Sequence, residues 1–269
     1  MATKDRTARL PMLGSLGGWM ARAFGVILFF IGWTAISSAF PLRLMPMPHE
    51  AIAAAWGLVE SGSVWKHLSA TLAAMVWGFL GGMLMGIQMG VFMGISDYQR
   101  KFLTPHVVLS LSIPHISWGI TMTLIFGFDI LAPIFATILV VFPFVAVSVW
   151  KGVENIDGDL LKMSKSFNVS FYRTLRRVII PNIAPSLFSA SRLGLAMSWK
   201  TVTITEMFAA SAGVGYKIIE SYESIHFETA WAWAVVFMVV ILIIEYGIFK
   251  PLQRKVFQYR QDADFSMLG

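Results

Sequence analysis

The amino-acid sequence predicts an all-α, polytopic transmembrane bundle of about six spans with both termini on the cytoplasmic side. Three observations predict it. Of 269 residues, 57% are hydrophobic and only 13% charged, against roughly 25% charged in an ordinary soluble domain, so there are too few charges to build a polar shell. The apolar residues fall in long runs separated by short basic clusters. The 16 Met, 21 Phe and 10 Trp suit lipid-facing and interfacial surface.

The first run, over 24–40, follows a basic tail with Lys4, Arg6, Arg9 and Arg22 and ends at Pro41. A signal peptide has a similar opening, but further spans follow and the run is long for a signal core. Over 47–59, Pro48 stands near a helix start and Ile52, Trp56 and Val59 recur at helical spacing, which reads as a short interfacial helix. Further spans are expected over 68–95, 107–128, 130–150, 183–208 and 230–249, each long enough to cross about 30 Å of hydrocarbon. Asp129 separates two of them as a tight hairpin. Pro114 and Pro143 fall inside those two, where a break is tolerated only if protein or a wet cavity satisfies the freed carbonyls.

Sixteen Lys and Arg lie in the segments placed inside (Lys4, Arg6, Arg9, Arg22, Arg100, Lys101, Lys151, Lys162, Lys165, Arg173, Arg176, Arg177, Lys250, Arg254, Lys255, Arg260). Three lie outside (Arg43, Lys66, Lys217). That asymmetry sets the orientation. It also explains the net charge of +6 without nucleic acid as a partner. The organisation is then a cytoplasmic tail over 1–23, a membrane domain over 24–249 and a cytoplasmic tail over 250–269, with a polar cytoplasmic loop at 151–181 and an outer loop at 209–229 carrying Gly213, Gly215, Glu220, Glu223 and Glu228.

Gly78, Gly82, Gly86, Gly90 and Gly94 recur every four residues, which strips one helix face to backbone for close helix packing. Packing within one subunit and a contact that slides or rocks are both open. Arg192, Lys200 and Glu206 share the 183–208 span with Trp199, Thr203 and Thr205. Ionisable groups at membrane depth face a bundle interior or a wet cavity. Trp199, Lys200, Thr203 and Glu206 are the candidate pathway residues, with Lys200 favouring an anionic solute; neutralisation by a neighbouring helix, or snorkelling, is the plainer account. Lys200 and Glu206 point about 120° apart on a helix, so they do not pair. Arg192, nearer the inner end, is expected to reach headgroups or a helix C-terminus.

Nothing supports catalysis: there is no phosphate loop, no H-E-x-x-H, no metal-ligand spacing among the five His, and no cysteine. The chain is expected to hold no cofactor and no metal, and any ATP and magnesium to be bound by another chain.

The segment from Lys162 through Ser164, Ser166, Phe167, Asn168, Phe171 and Tyr172 to Val178-Ile179-Ile180-Pro181, with Pro185 following, resembles the coupling loop of binding-protein-dependent ABC importer permeases. Asn168 takes the glycine position of that pattern, and Asn is the residue that best replaces Gly at positive φ. Lys162-Met163-Ser164 replaces the usual Glu-Ala-Ala, a departure that bears on the details of ATPase contact. Pro105, Ile113-Pro114, Phe126-Gly127, Trp199 to Glu206 and Gly213-Val214-Gly215 follow in the order seen in the nitrate, sulfonate and taurine branch. The resemblance implies a type I importer permease in the bacterial inner membrane, paired as a homodimer, with cytoplasmic ATPase subunits and a periplasmic solute-binding protein as partners. It also implies a coupling helix centred on 164–172 that seats in the ATPase. Phe167, Phe171 and Tyr172 are its expected aromatic anchors, membrane-surface contact being the other reading. The outer loop from Gly213 to Tyr222 would meet the binding protein, and Glu206 would shape an outer gate or simply end a helix. An ion-coupled secondary transporter is the alternative, although no internal repeat or acidic relay is visible.

Overall fold

Long apolar runs in a solvent that cannot satisfy backbone polar groups leave helices as the only open-chain solution. The computed structural model describes residues 13–39 and 44–252. Lys4, Arg6, Arg9, Phe40, Pro41, Arg43, Arg254, Lys255 and Arg260 lie outside the described residues, as do the side chains of Lys165 and Phe171. The described residues form eleven α-helices and two π-helical turns, with no strand among them.

Helix α1 (Leu13–Ala39) begins well before the apolar run, inside the stretch expected as a tail. Helix α2 (Pro48–Glu60) starts with proline at its first turn and with Glu50 accepting the Met47 N–H at 2.8 Å. Its Ile52, Trp56 and Val59 face outward as the interfacial reading requires, while Ala51 and Ala55 on the other side are buried. Helix α3 (Ser63–Ile95) is followed by α4 (Asp97–Ser112) and α5 (His115–Phe126). Then come α6 (Leu131–Glu154), α7 (Gly158–Ser166) and α8 (Phe171–Thr174), α9 (Ile180–Ala209), α10 (Val214–Glu223) and α11 (Phe227–Ile244). The outer loop therefore contains a helix, not turns alone.

Among the described residues four helices, α1, α3, α6 and α11 with its extension, are long and apolar enough to cross a membrane. The span expected over 107–128 is corrected: it is the pair α4 and α5, bent by 97°. Proline explains the break. Pro114 has no N–H, and it holds Ile113 extended at φ −81°, ψ 126°. Pro143 does not break α6. It leaves the Leu139 carbonyl without its helical donor, and the Ser110 hydroxyl of α4 donates to that oxygen at 3.0 Å. The expected span over 183–208 lies inside α9, whose 30 residues reach about 45 Å. Its charged residues and its Ser and Thr dilute the apolar composition.

Two π turns, Leu175–Ile179 and Glu245–Phe249, each stand just ahead of a proline. In each, the residue before the proline donates five positions back, Ile180 to Leu175 and Lys250 to Glu245. Widening the turn moves the carbonyl that the pyrrolidine ring would strike.

The centre of the bundle is α6, packed on α3 and α9. Helices α3 and α6 run parallel, and the glycine stripe lies between them. A Cβ built on Gly78, Gly82, Gly86, Gly90 or Gly94 would come within 2.5–2.7 Å of the Cβ of Thr137, Val141, Val145, Val149 or Val153, in that order. Each of those partners is itself four residues from the next. The glycines face a β-branched ridge of the same chain, and the two backbones approach closely because the glycines add no side chain. Val141, Val145, Val149 and Val153 then continue into the core with Ile179, Ile183 and Ala190. Helix α1, by contrast, is 11% buried over its apolar window, against 61% for α6. It is attached near its outer end, where Trp33 donates to the Pro46 carbonyl at 3.0 Å and Ser37 to Met45 at 2.7 Å.

Candidate functional site

The expected single helix over 164–172 is corrected to a helix, a turn and a second helix. Helix α7 ends where Phe167 N–H donates to Met163 and Val169 N–H to Ser164, at 3.0 and 2.9 Å, around Asn168 at φ 49°. A left-handed residue just past the last turn, with a bond reaching five residues back, is a Schellman stop. Asn tolerates that conformation because its side chain is short and polar. Ser170 then accepts the N–H groups of Arg173 and Thr174, both at 3.0 Å, and starts α8. The turn leaves Phe167 76% and Tyr172 69% exposed, with Met163 beside them, while Ser164 is buried and Ser166 exposed. Arg173, Arg176 and Arg177 are exposed on the following turn.

Within the bundle, the four expected pathway residues divide between two environments. Trp199 is partly buried, edge-on to Phe237 at 6.2 Å. Lys200 is exposed, its Nζ 5.5 Å from the Trp199 ring, with no carboxylate partner among the described residues. Thr203 spends its hydroxyl on the Trp199 carbonyl at 2.8 Å. Glu206 is turned into the protein and is 2% exposed. Arg192 pairs with Glu245 at the start of the second π turn, a carboxylate supplied by a neighbouring helix.

Glu206, on α9, is held from two other helices. The Thr71 hydroxyl of α3 donates to its Oε2 at 2.8 Å, and the Gly215 N–H of α10 donates to the same oxygen at 3.0 Å. Val214 N–H donates to the Thr71 oxygen at 2.8 Å, and Gly213 N–H to His67 Nδ1 at 3.2 Å, which places the His67 proton on Nε2. The first N–H groups of a helix are unsatisfied within it, and the Glu206 carboxyl oxygen gives one of them an acceptor. Gly213, at φ 122°, is required: any Cβ there would strike the Glu206 carboxyl group. Gly215 is required as well, since its Cβ would strike the Thr203 carbonyl. Gly213-Val214-Gly215 is therefore a carboxylate cradle. Glu206 also borders an outer cavity of about 250 Å³ lined by Asp129 and Ser211.

On the outward surface of α10, Lys217 pairs with Glu220 and holds its carboxyl below the usual range. Tyr216 donates to Glu220 at 2.9 Å. His67 and Thr71 were not legible as partners of the cradle. Their four-residue spacing put them on one face of α3, but nothing local pointed to Glu206.

The family described as binding-protein-dependent transport system inner membrane component matches residues 78–257. An Escherichia coli protein named as an aliphatic sulfonates transport permease is 31% identical over 223 residues, 82% of this chain and 79% of that relative. The taurine transport system permease protein of the same organism is 26% identical over 238 residues, 86% of each. Among solved structures, an inward-facing conformation of the MetNI methionine ABC transporter superposes with a TM-score of 0.62 at 20% identity, covering 75% of this chain and 96% of that one. The fold is thus that of a type I ABC importer permease, and the chain is a multi-pass membrane protein. By sequence and by architecture, it belongs to the binding-protein-dependent transport system inner membrane component family.

Proposed function

We propose that this chain is the pathway-forming subunit of an ATP-driven importer in the bacterial inner membrane. Two copies enclose the pathway, cytoplasmic ATPase subunits supply the energy, and a periplasmic binding protein delivers a small anion of the sulfonate or taurine kind. The anion class rests on what the relatives are named for and on Lys200, a cation at membrane depth with no acid partner among the described residues.

The observation that carries this reading is the pair Phe167 and Tyr172. Two large aromatic side chains flanking a left-handed stop, exposed on a short polar element and followed by three arginines, fit insertion into a protein groove. ATP-driven closure of the motor would push this element, and π turn and α9 would carry the movement through the membrane. Changing both Phe167 and Tyr172 to Asp is expected to lower co-purification of the ATPase by at least ~10-fold, since losing a buried aromatic anchor costs about 2 kcal/mol or more. Intact assembly would overturn the docking assignment. ATPase activity stimulated by solute-loaded binding protein, in vesicles holding all components, distinguishes this importer from a gradient-driven carrier.

A further inference from the structure

The broken pair α4 and α5 starts a new helix deep in the membrane, and two basic side chains stand at similar depth there. His115 is the first residue of α5, one turn inward of Gly119, and Lys200 on α9 lies five residues inward of Thr205, whose hydroxyl packs on Gly119. Counting along each helix, His115 is about 17 Å from the outer end of α5 and Lys200 about 14 Å from that of α9. In a hydrocarbon layer about 30 Å thick, both stand close to half-way. An ammonium at that depth does not face lipid, because desolvating it there is costly. Neither side chain has a hydrogen-bond or ion-pair partner among the described residues.

The surroundings are polar in a directed way. Ser117 and Trp118 donate their N–H groups to the Pro114 carbonyl, at 2.9 and 3.4 Å, so the open end of α5 is its first residues, His115 and Ile116. Along the same seam, Thr201 and Thr205 are each 1% exposed, and their hydroxyls have no hydrogen-bond partner. Thr205 points at the α5 backbone: a Cβ on Gly119 would lie 2.8 Å from its Oγ1. Helices α5 and α9 run in the same direction, so Thr201 lies one turn inward of that contact, as His115 does on α5. Buried hydroxyls without partners call for an explanation, and a polar group entering this seam supplies one. A helix start, an imidazole N–H and an ammonium together offer an anion several donors and one positive charge.

We infer that His115 and Lys200 form a midway station for the anionic head of the transported solute, an oxyanion such as a sulfonate or carboxylate. The inference rests on the importer reading above and adds His115, the α5 terminus and the depth to it. The station binds the head by charge-assisted hydrogen bonds from two different helices. Movement of α9 against α5 would separate its halves and release the anion.

The test uses the complete transporter in proteoliposomes with its binding protein, and follows uptake of labelled ethanesulfonate, taurine and nitrate beside stimulated ATPase activity. His115→Asn and Lys200→Met are expected to slow uptake of the transported anion by ~10-fold each, the effect of one lost charge-assisted contact. Lys200→Arg should retain most of it. His115→Asp, equal in size to His115→Asn but opposite in charge, should fall ~10-fold further. Stimulated ATPase and assembly should persist in all of them. Wild-type uptake rates in His115→Asn or Lys200→Met, or equal rates for the Asn and Asp variants, would overturn the station and leave the importer standing. Loss of ATPase stimulation together with uptake would also overturn it, by marking the residues as structural. A wild-type transporter that moves none of the three anions would refute the anion reading itself, and the station with it.

Discussion

Glu206 joins three helices because its carboxylate collects donors that would otherwise be unsatisfied. Thr71 is the economical place to test this, since its one hydroxyl both donates to Glu206 and accepts from Val214. Thr71→Val keeps the shape and removes both bonds, so thermal inactivation in detergent should show a loss of about 1–3 kcal/mol. Gly213→Ala should do worse, because the left-handed backbone and the Glu206 carboxyl group both exclude a methyl. The control is Gly57→Ala in α2, which meets nothing within 4 Å and should be neutral or stabilising by up to about 1 kcal/mol. Sequence could show that Glu206 and Lys200 diverge on their helix, and they do lie in different surroundings. It could not show Thr71 or His67, which stand 135 residues from Glu206 and 146 from Gly213. Separation of that kind leaves no local period to read. His115 was missed for the same reason, as its significance comes from a helix start and from a lysine on another helix.

Pro114 and Pro143 look alike as letters in apolar runs, yet one breaks its helix and the other does not. The difference is the Ser110 hydroxyl, which satisfies the carbonyl that Pro143 strands. Ser110→Ala should therefore destabilise the protein by about 1–2 kcal/mol, while the same change in a Pro143→Ala background should cost far less, because the helix then supplies its own donor. A double-mutant cycle on apparent Tm reads this coupling, and simple additivity would count against it. Elements with a strong period were legible: α3, α6 and α11 fall where apolar runs placed them, and the outward stripe of α2 is where its spacing put it. Asn168 was legible too, since a pattern that requires positive φ leaves few residues to choose from. Pro114 marked where a break could fall, but the 97° angle between α4 and α5 and the helix in the outer loop were not legible, because no apolar period in the sequence carries either. The glycine stripe was visible, but its match was carried by Thr137, Val141, Val145, Val149 and Val153, a second four-residue period in a helix that otherwise reads as uniformly apolar.

For the molecule as a whole, the exposed Phe167 and Tyr172 share a loop with Arg173, Arg176 and Arg177, so under the docking proposed above the force would enter at a basic end of the chain. It then meets two kinds of seam. Helix α1 is fastened at a few points near one end, and α5 touches α9 across unpartnered hydroxyls, whereas α3 and α6 are meshed along their length. Gly86→Val should separate the meshed pair at a cost of about 2–3 kcal/mol, through overpacking against Val145, and Val145→Ala should recover part of it. That mesh also acts as a rack with evenly pitched teeth. A displacement of a fraction of a turn drives every methyl into a neighbouring backbone at once, and the next resting place lies about 6 Å away, four residues along. Thermal agitation does not supply small steps on such a track, so the two helices travel as one beam, and the gearing of the machine has to be sought at its looser joints.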